Sequence, residues 1–388
     1  MRGGSTRRPR GGVEPAPSPA YGMIGGMADV VYLHVGAPKT GTSYLQDRLL
    51  ANRDSLAAHG ISYPVGPQRD MFPAALDLID LSWGGQRDQV RGEWPALVAR
   101  VRRAPGTALI SHEILAGATR AQIDRAMGDL AFADAHVVYS ARDLGRQIPA
   151  EWQESIKHRK LRSFRRYVRQ VQRAERRDPK LWFWRAQSLP DVLERWTAGV
   201  PPERVHLVTV PQPGAPRDEL WRRYCAAFRV DPGWAPADSA FTNASIGIEE
   251  IALLRALNKR LRRVGLDSTH YRRLVRQLIV HSTLARRPDM RRVTLPPQAY
   301  GWVGEIAEEW VTWVERSGIE VVGDLDDLRP VPPSAGRWEN PDKPRPRTTV
   351  DAALDALVAV VLEAAKQPQH EQSATARLSR AARRLVGQ

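Results

Sequence analysis

The sequence predicts an α/β fold, a parallel β-sheet flanked by helices, followed by a mainly helical C-terminal part. Three observations predict it. Short β-branched runs alternate with helical patterns through the first part of the chain; a glycine-punctuated turn joins the first strand to the first helix; and beyond about residue 246 the patterns are helical. With 42% apolar and 26% charged side chains among 388 residues, the chain has enough material for a sizeable core. One main domain over residues 29–330, with tails, is the expected organisation.

Residues 1–28 are rich in Gly, Pro, Arg and Ser, a composition that buries too little surface to order itself, so a disordered tail is expected there. From Asp29 the character changes. The run VVYLHV is a strand, and after a glycine turn TSYLQDRLLANRDSLAAHG carries apolar residues at helical spacing up to Gly60. Further strands are predicted at 61–63, 107–111, 137–140 and 205–210, with helical patterns between them. Helix is predicted over 246–287 and again over 300–316. The Pro-rich stretch at 331–348 reads as a linker, and 349–388 as a helical tail whose simplest role is to pack back on the core.

The chain holds 58 basic and 43 acidic residues, a formal net charge of +15, which favours anionic partners. Its densest basic run, 157–177, carries Phe164, Tyr167, Val168 and Val171 at helical spacing. That pattern is expected of a solvated helix, with an electrostatic rim for an anionic ligand as the alternative. No nucleic-acid reading module accompanies it, so nucleic acid is not an expected partner. The single cysteine, Cys225, sits in a helical context and reads as an inert core thiol. There is no run of eighteen apolar residues and no signal-peptide core, so a cytoplasmic location without a transmembrane segment is expected.

The most specific pattern is VYLHVGAPKTGTSYLQ. A strand delivers Gly36, the chain turns through Ala37, Pro38, Lys39, Thr40 and Gly41, and a helix begins near Thr42. Such a turn aims backbone N–H groups and a helix N-terminus at one point, which suits a phosphate or sulfate. A nucleoside-triphosphate loop of the Walker type places its lysine after the second glycine; here Lys39 precedes Gly41. What the segment resembles is the 5′-phosphosulfate loop of sulfotransferases that use 3′-phosphoadenosine 5′-phosphosulfate (PAPS), with the pattern G-x-P-[KR]-[ST]-G-T-[ST]. Every position of it is filled. The resemblance implies a P-loop sulfotransferase-like fold of the bacterial branch. It also implies that Gly36 and Pro38 shape the loop, that Lys39 reaches the oxygen bridging phosphorus and sulfur, and that Thr40, Gly41, Thr42 and Ser43 bind the 5′-phosphate.

A second segment, HVVYSARDLGRQIPAEWQESIKHR, is an apolar strand ending at Arg142, then a helix. The resemblance assigns Arg142 to the 3′-phosphate. The serine that relatives place eight residues later is Ala150 here, so one expected hydroxyl donor is missing. Within NASIG, Asn243 and Ser245 are further nucleotide contacts by resemblance, with a helix N-cap as the plainer alternative. Trp152 and Trp184 read as core or groove aromatics. PAPS is the implied co-substrate; with no His/Cys cluster or acidic loop in the sequence, no metal is expected.

Transfer to a hydroxyl is assisted by a group that accepts its proton, and TALISHEIL offers His112 and Glu113 at the end of a predicted strand. Alternation along an extended strand predicts that the two point oppositely, so one of them faces the acceptor. The resemblance offers both: a histidine follows this strand in cytosolic sulfotransferases, whereas the bacterial group keeps a glutamate there, which favours Glu113 as the base. The acceptor and the oligomeric state are not encoded in any motif.

Overall fold

The computed structural model describes residues 26–67, 71–81, 87–177, 179–240, 245–333 and 338–366. Among them, six strands form one sheet: β1 (Ala28–His34), β2 (Ile61–Ser62), β3 (Gly106–Ser111), β4 (Asp134–Ala141), β5 (Val205–Thr209) and β6 (Glu320–Val322). Their order is β2-β3-β1-β4-β5-β6, and every pairing is parallel. Helices cover both faces, which is why Val31, Tyr32, Leu33 and Val35 are all buried rather than alternating in and out.

The chain leaves β1 for the β2 edge, returns through β3 beside β1, and then crosses to β4 on the other side. The strand order therefore reverses at β1. In open parallel sheets a crevice opens at such a point, outside the carboxyl ends of the strands. The segments that follow β1, β3 and β4 meet there, and they contain the glycine loop, His112–Glu113 and Arg142.

The helices that matter for the crevice are α1 (Thr42–Ala51), α2 (Leu144–Lys157) and α3 (Ile248–Val264). After α3 comes a wide π-helical segment, Tyr271–Thr283, then α4 (Ala299–Ser317). Strand β6 was not predicted: it is three residues long and half-buried at the sheet edge, too short to show a period. From residue 338 onward the Pro-rich stretch is held by contacts to the domain. Asp342 accepts from the backbone N–H groups of Phe164 and Arg165 at 2.9 Å each and pairs with Arg255, while Trp338 donates to the carbonyl of Thr294. The final helix α5 (Pro346–Lys366) lays Ala352 and Ala356 against α3 and the wide helix, leaving Leu354, Leu357 and Val361 exposed. No helix among the described residues is long and apolar enough to cross a membrane.

Candidate active site

The loop after β1 is built from inside outward. His34, at the end of β1, is fully buried and bridges the two neighbouring strands, Nδ1 lying 2.8 Å from Ser111 Oγ and Nε2 3.0 Å from Ser140 Oγ. Burial lowers its imidazole to about 4, so it stays neutral. The loop backbone then continues the pairing: Val35 N–H donates to Val138 and Ala37 N–H to Ser140, at 3.0 and 2.8 Å. Gly36 has φ 129°, and a Cβ there would lie 2.9 Å from the Glu113 carbonyl oxygen; Gly41 has φ 91°, and a Cβ there would meet Leu220 at 2.6 Å. Conformation requires glycine at both positions, and at Gly36 the backbone contact requires it as well, whereas the Leu220 side chain at Gly41 could move aside.

The structure separates the roles of the loop's side chains. Thr40 is fully buried, its hydroxyl donating to the Ala37 carbonyl and lying 2.6 Å from Ser140 Oγ, so its side chain is committed to holding the loop. The Pro38 carbonyl accepts from the amides of Gln147 and Gln187, and Tyr224 donates to the Thr40 carbonyl. These bonds fix the turn that holds Lys39 at φ 66°, a left-handed conformation a lysine adopts only when its surroundings impose it. No side chain caps α1 at Gly41; Thr42 is buried and Ser43 half-buried in its first turn. The first backbone N–H groups of α1 are thus left to a ligand or water.

Lys39 extends into the crevice. Its Nζ lies 2.6 Å from Glu154 Oε2, and the same carboxylate is approached by Lys157 Nζ at 3.6 Å, His158 Nε2 at 3.2 Å and Arg276 Nη2 at 3.5 Å. Burial alone would raise the Glu154 carboxyl, but the His158 hydrogen bond and the charges of Lys39, Lys157 and His158 hold it well below the usual range. Arg276 comes from the wide helix, and its buried Nε has no hydrogen-bond partner among the described residues. One carboxylate surrounded by two lysines, an arginine and a histidine makes this basin electropositive, as an anion site requires.

His112 and Glu113 do not point oppositely. The strand ends at Ser111 and the chain enters a short 3₁₀ turn, Glu113–Gly117, which His112 caps by accepting from the Ile114 N–H at 3.3 Å. Leaving the extended conformation brings His112 Nδ1 to 3.9 Å from Glu113 Oε2. Gln46, on α1, donates to Glu113 at 3.1 Å and ties it to the glycine loop. Burial alone would raise the Glu113 carboxyl, but His112, its own backbone N–H, Gln46 and Lys39 outweigh it and hold the group below the usual range.

Arg142, at the end of β4, is held by Gln147 Oε1 at 2.8 Å and the Arg146 carbonyl at 3.1 Å; burial lowers its guanidinium to about 10, so it remains a cation at neutral pH. Ala150 is half-buried on α2. Asn243 lies outside the described residues. Ser245 is exposed just before Ile246, whose carbonyl accepts from Gln153 at 2.8 Å. Trp152 and Trp184 are fully buried, their indole N–H groups bonded to the carbonyls of Arg162 and Val171, and Cys225 is a buried thiol pushed up to about 12. In the basic run only Lys157 and His158 reach Glu154 among the contacts above, while Arg165, Arg166, Arg169 and Arg173 are exposed.

No protein-family model matches the chain, and no curated protein does. Among solved structures, the crystal structure of a sulfotransferase from Alicyclobacillus acidocaldarius matches at a TM-score of 0.35 and 19% identity, over 62% of this chain and 98% of that one. So distant a likeness bears on neither the fold nor the chemistry. Both rest on this chain's own sheet and side chains.

Sequence reading missed one face of α2. Gln147, Glu151, Glu154 and His158 follow one another at spacings of four, three and four, a single helical stripe that faces the loop at Pro38 and Lys39. The signal was available: a polar stripe on the helix that follows the strand ending in Arg142. Arg276 had no such signal, because only tertiary packing brings it to Glu154.

Proposed function

We propose that this chain transfers a sulfuryl group from PAPS to a hydroxyl, or an amine, of a carbohydrate, glycolipid or small metabolite. The observation that carries this reading is the placement of Lys39. Its position ahead of Gly41 is that of the phosphosulfate loop it resembles, and its ammonium enters an electropositive crevice at the strand switch, with Arg142 and Glu113 both close enough to act on the same carboxyl, Glu151.

On this reading, the N–H groups at the start of α1 hold the 5′-phosphate and Arg142 the 3′-phosphate. The acceptor oxygen attacks sulfur in line; the new O–S bond forms as the bond from sulfur to the phosphate oxygen breaks, and adenosine 3′,5′-bisphosphate (PAP) leaves. Lys39 stabilises the charge growing on that leaving oxygen, an effect larger in the transition state than in the ground state. Glu113, ionised at neutral pH, accepts the acceptor's proton. Glu154 keeps Lys39 extended in the free protein and yields it to the incoming anion.

The test is Lys39→Ala with radiolabelled PAPS and a lysate as acceptor source, beside calorimetric titrations with PAP and with ATP and Mg²⁺. Loss of one such contact lowers kcat on the order of 10²-fold or more. The variant should stay folded, because Glu154 keeps Lys157, His158 and Arg276 as partners. Transfer within a few-fold of wild type, or tight ATP–Mg²⁺ binding without PAP binding, would overturn the assignment. Binding of PAP without any transfer would leave a basic binding protein that has lost the chemistry.

A further inference from the structure

Glu151 has no role in the mechanism above, yet it sits in the middle of it. On the α2 stripe it lies between Gln147, which reaches Pro38, and Glu154, which reaches Lys39. Only 8% of it is exposed, and its Oε1 finds no hydrogen-bond partner among the described residues. A buried carboxyl with an unused oxygen costs free energy unless a ligand supplies the missing partner. Ala150 beside it offers no hydroxyl.

The charges that act on Glu151 come from every side. Lys39 acts on it from the loop, Arg142 from the end of β4, Glu154 from the next turn of its own helix and Glu113 from the 3₁₀ turn, and the buried Tyr167 phenol of the helix Phe164–Arg173 feels its charge in turn. Two cations and two carboxylates nearly balance, so burial decides, and it pushes the Glu151 carboxyl up to about 7. An ionised phosphate arriving between Lys39 and Arg142 adds negative charge beside it. A second buried negative charge at that spot would repel the ligand.

Building on the donor reading above, we propose that Glu151 binds the nucleotide as the neutral acid, its O–H donating to a phosphate oxygen, so that nucleotide binding takes up one proton. The carboxyl thereby supplies a hydroxyl donor next to the position where Ala150 lacks one. Below about pH 7 the acid is already protonated and contributes no pH dependence. Above it, each unit of pH weakens binding by up to about ten-fold. Two other ionisations bound the usable window. The second ionisation of a phosphate monoester falls near pH 6 and acts in the opposite direction. Lys157, whose ammonium is lowered by burial, sets the alkaline limit.

The experiment is calorimetric titration of the full chain with PAP at about pH 7 and about pH 8.5, each in two buffers of different ionisation enthalpy, for wild type and Glu151→Gln. Expected for wild type are uptake of most of one proton at the higher pH and a dissociation constant roughly ten-fold or more larger there. Glu151→Gln keeps a donor and cannot ionise, so it should bind PAP with no proton uptake and a flat profile. Tight PAP binding by wild type without proton uptake overturns the proposal, as does an unchanged slope in the variant. If the variant does not fold, the proton count on wild type decides alone. Absence of PAP binding at either pH overturns the donor reading instead.

Discussion

Replacing Glu151 by Gln should change how stability depends on pH even with no ligand present. The carboxyl titrates at about 7 in the folded protein against an ordinary 4.5, so the folded state holds its proton over a range where the unfolded state has lost it. Wild-type stability therefore falls as pH rises from 4.5 to 7, by about 3 kcal/mol at roughly 1.4 kcal/mol per unit. His34 works against this. It titrates at about 4 folded against 6.5 unfolded, so stability present above 6.5 is lost as pH falls toward 4, again by about 3 kcal/mol. His136 and His206, also lowered, act in the same direction as His34. The Glu151 ramp opposes the histidine ramps over the range they share, so wild-type stability should rise less steeply between about pH 4.5 and 6.5 than the histidines alone would make it. In Glu151→Gln only the histidine ramp survives. The variant should gain stability with rising pH and exceed wild type by about 3 kcal/mol near pH 8, or on the order of 5 °C or more in Tm. Urea unfolding at several pH values measures it, with the acid end kept above the range in which Glu113 and Glu154, held low, begin to protonate. Identical pH profiles for the two proteins would refute the placement of a buried, ionisable Glu151.

Glu113→Gln should lower kcat by roughly 10²- to 10⁴-fold with little change in Tm, and wild-type kcat should show no loss from this group until the pH drops below the usual carboxylate range. His112→Ala should instead cost about 1 kcal/mol of stability by removing the cap on the 3₁₀ turn, which His112→Asn should largely restore; a large kcat loss in both His112 variants would make the imidazole the base. Ala150→Ser should tighten PAP by about ten-fold, since a hydrogen bond to a charged group is worth about 1.5–3 kcal/mol, without tightening an analogue that lacks the 3′-phosphate. Equal tightening of both ligands would place Ala150 away from that phosphate.

The sheet was legible because its strands are buried on both faces. A parallel strand flanked by helices is a continuous apolar run, as in VVYLHV and VVYSA, and such runs stand out between helical patterns. β6 escaped for the opposite reason: Glu320–Val322 is short, half-buried and partly polar, and it exists because β5 offers an edge to pair with. Composition reads the Pro-rich stretch as a linker, and it does not show that Asp342 accepts from the first N–H groups of the helix Phe164–Arg173, an attraction visible only once the two segments meet.

The site divides along the same line. Loop chemistry is local, so Gly36, Lys39 and Gly41 could be read from order and spacing alone, and the left-handed turn confirms why glycine stands at both ends. What local order could not give is charge balance, which is a property of the crevice rather than of any segment. Lys39 taken from its motif is a free cation; in the fold it is one of four basic groups around Glu154, and its availability depends on that carboxylate. Glu113 and Glu151 are the same residue type in the same crevice, yet hydrogen bonds and His112 hold one ionised while burial without a partner holds the other near neutrality. Two carboxyls driven apart in this way suit opposite tasks, accepting a proton and keeping one. On the proposed reading, that contrast in surroundings is what lets Glu113 take the acceptor's proton while Glu151 keeps its own for the nucleotide.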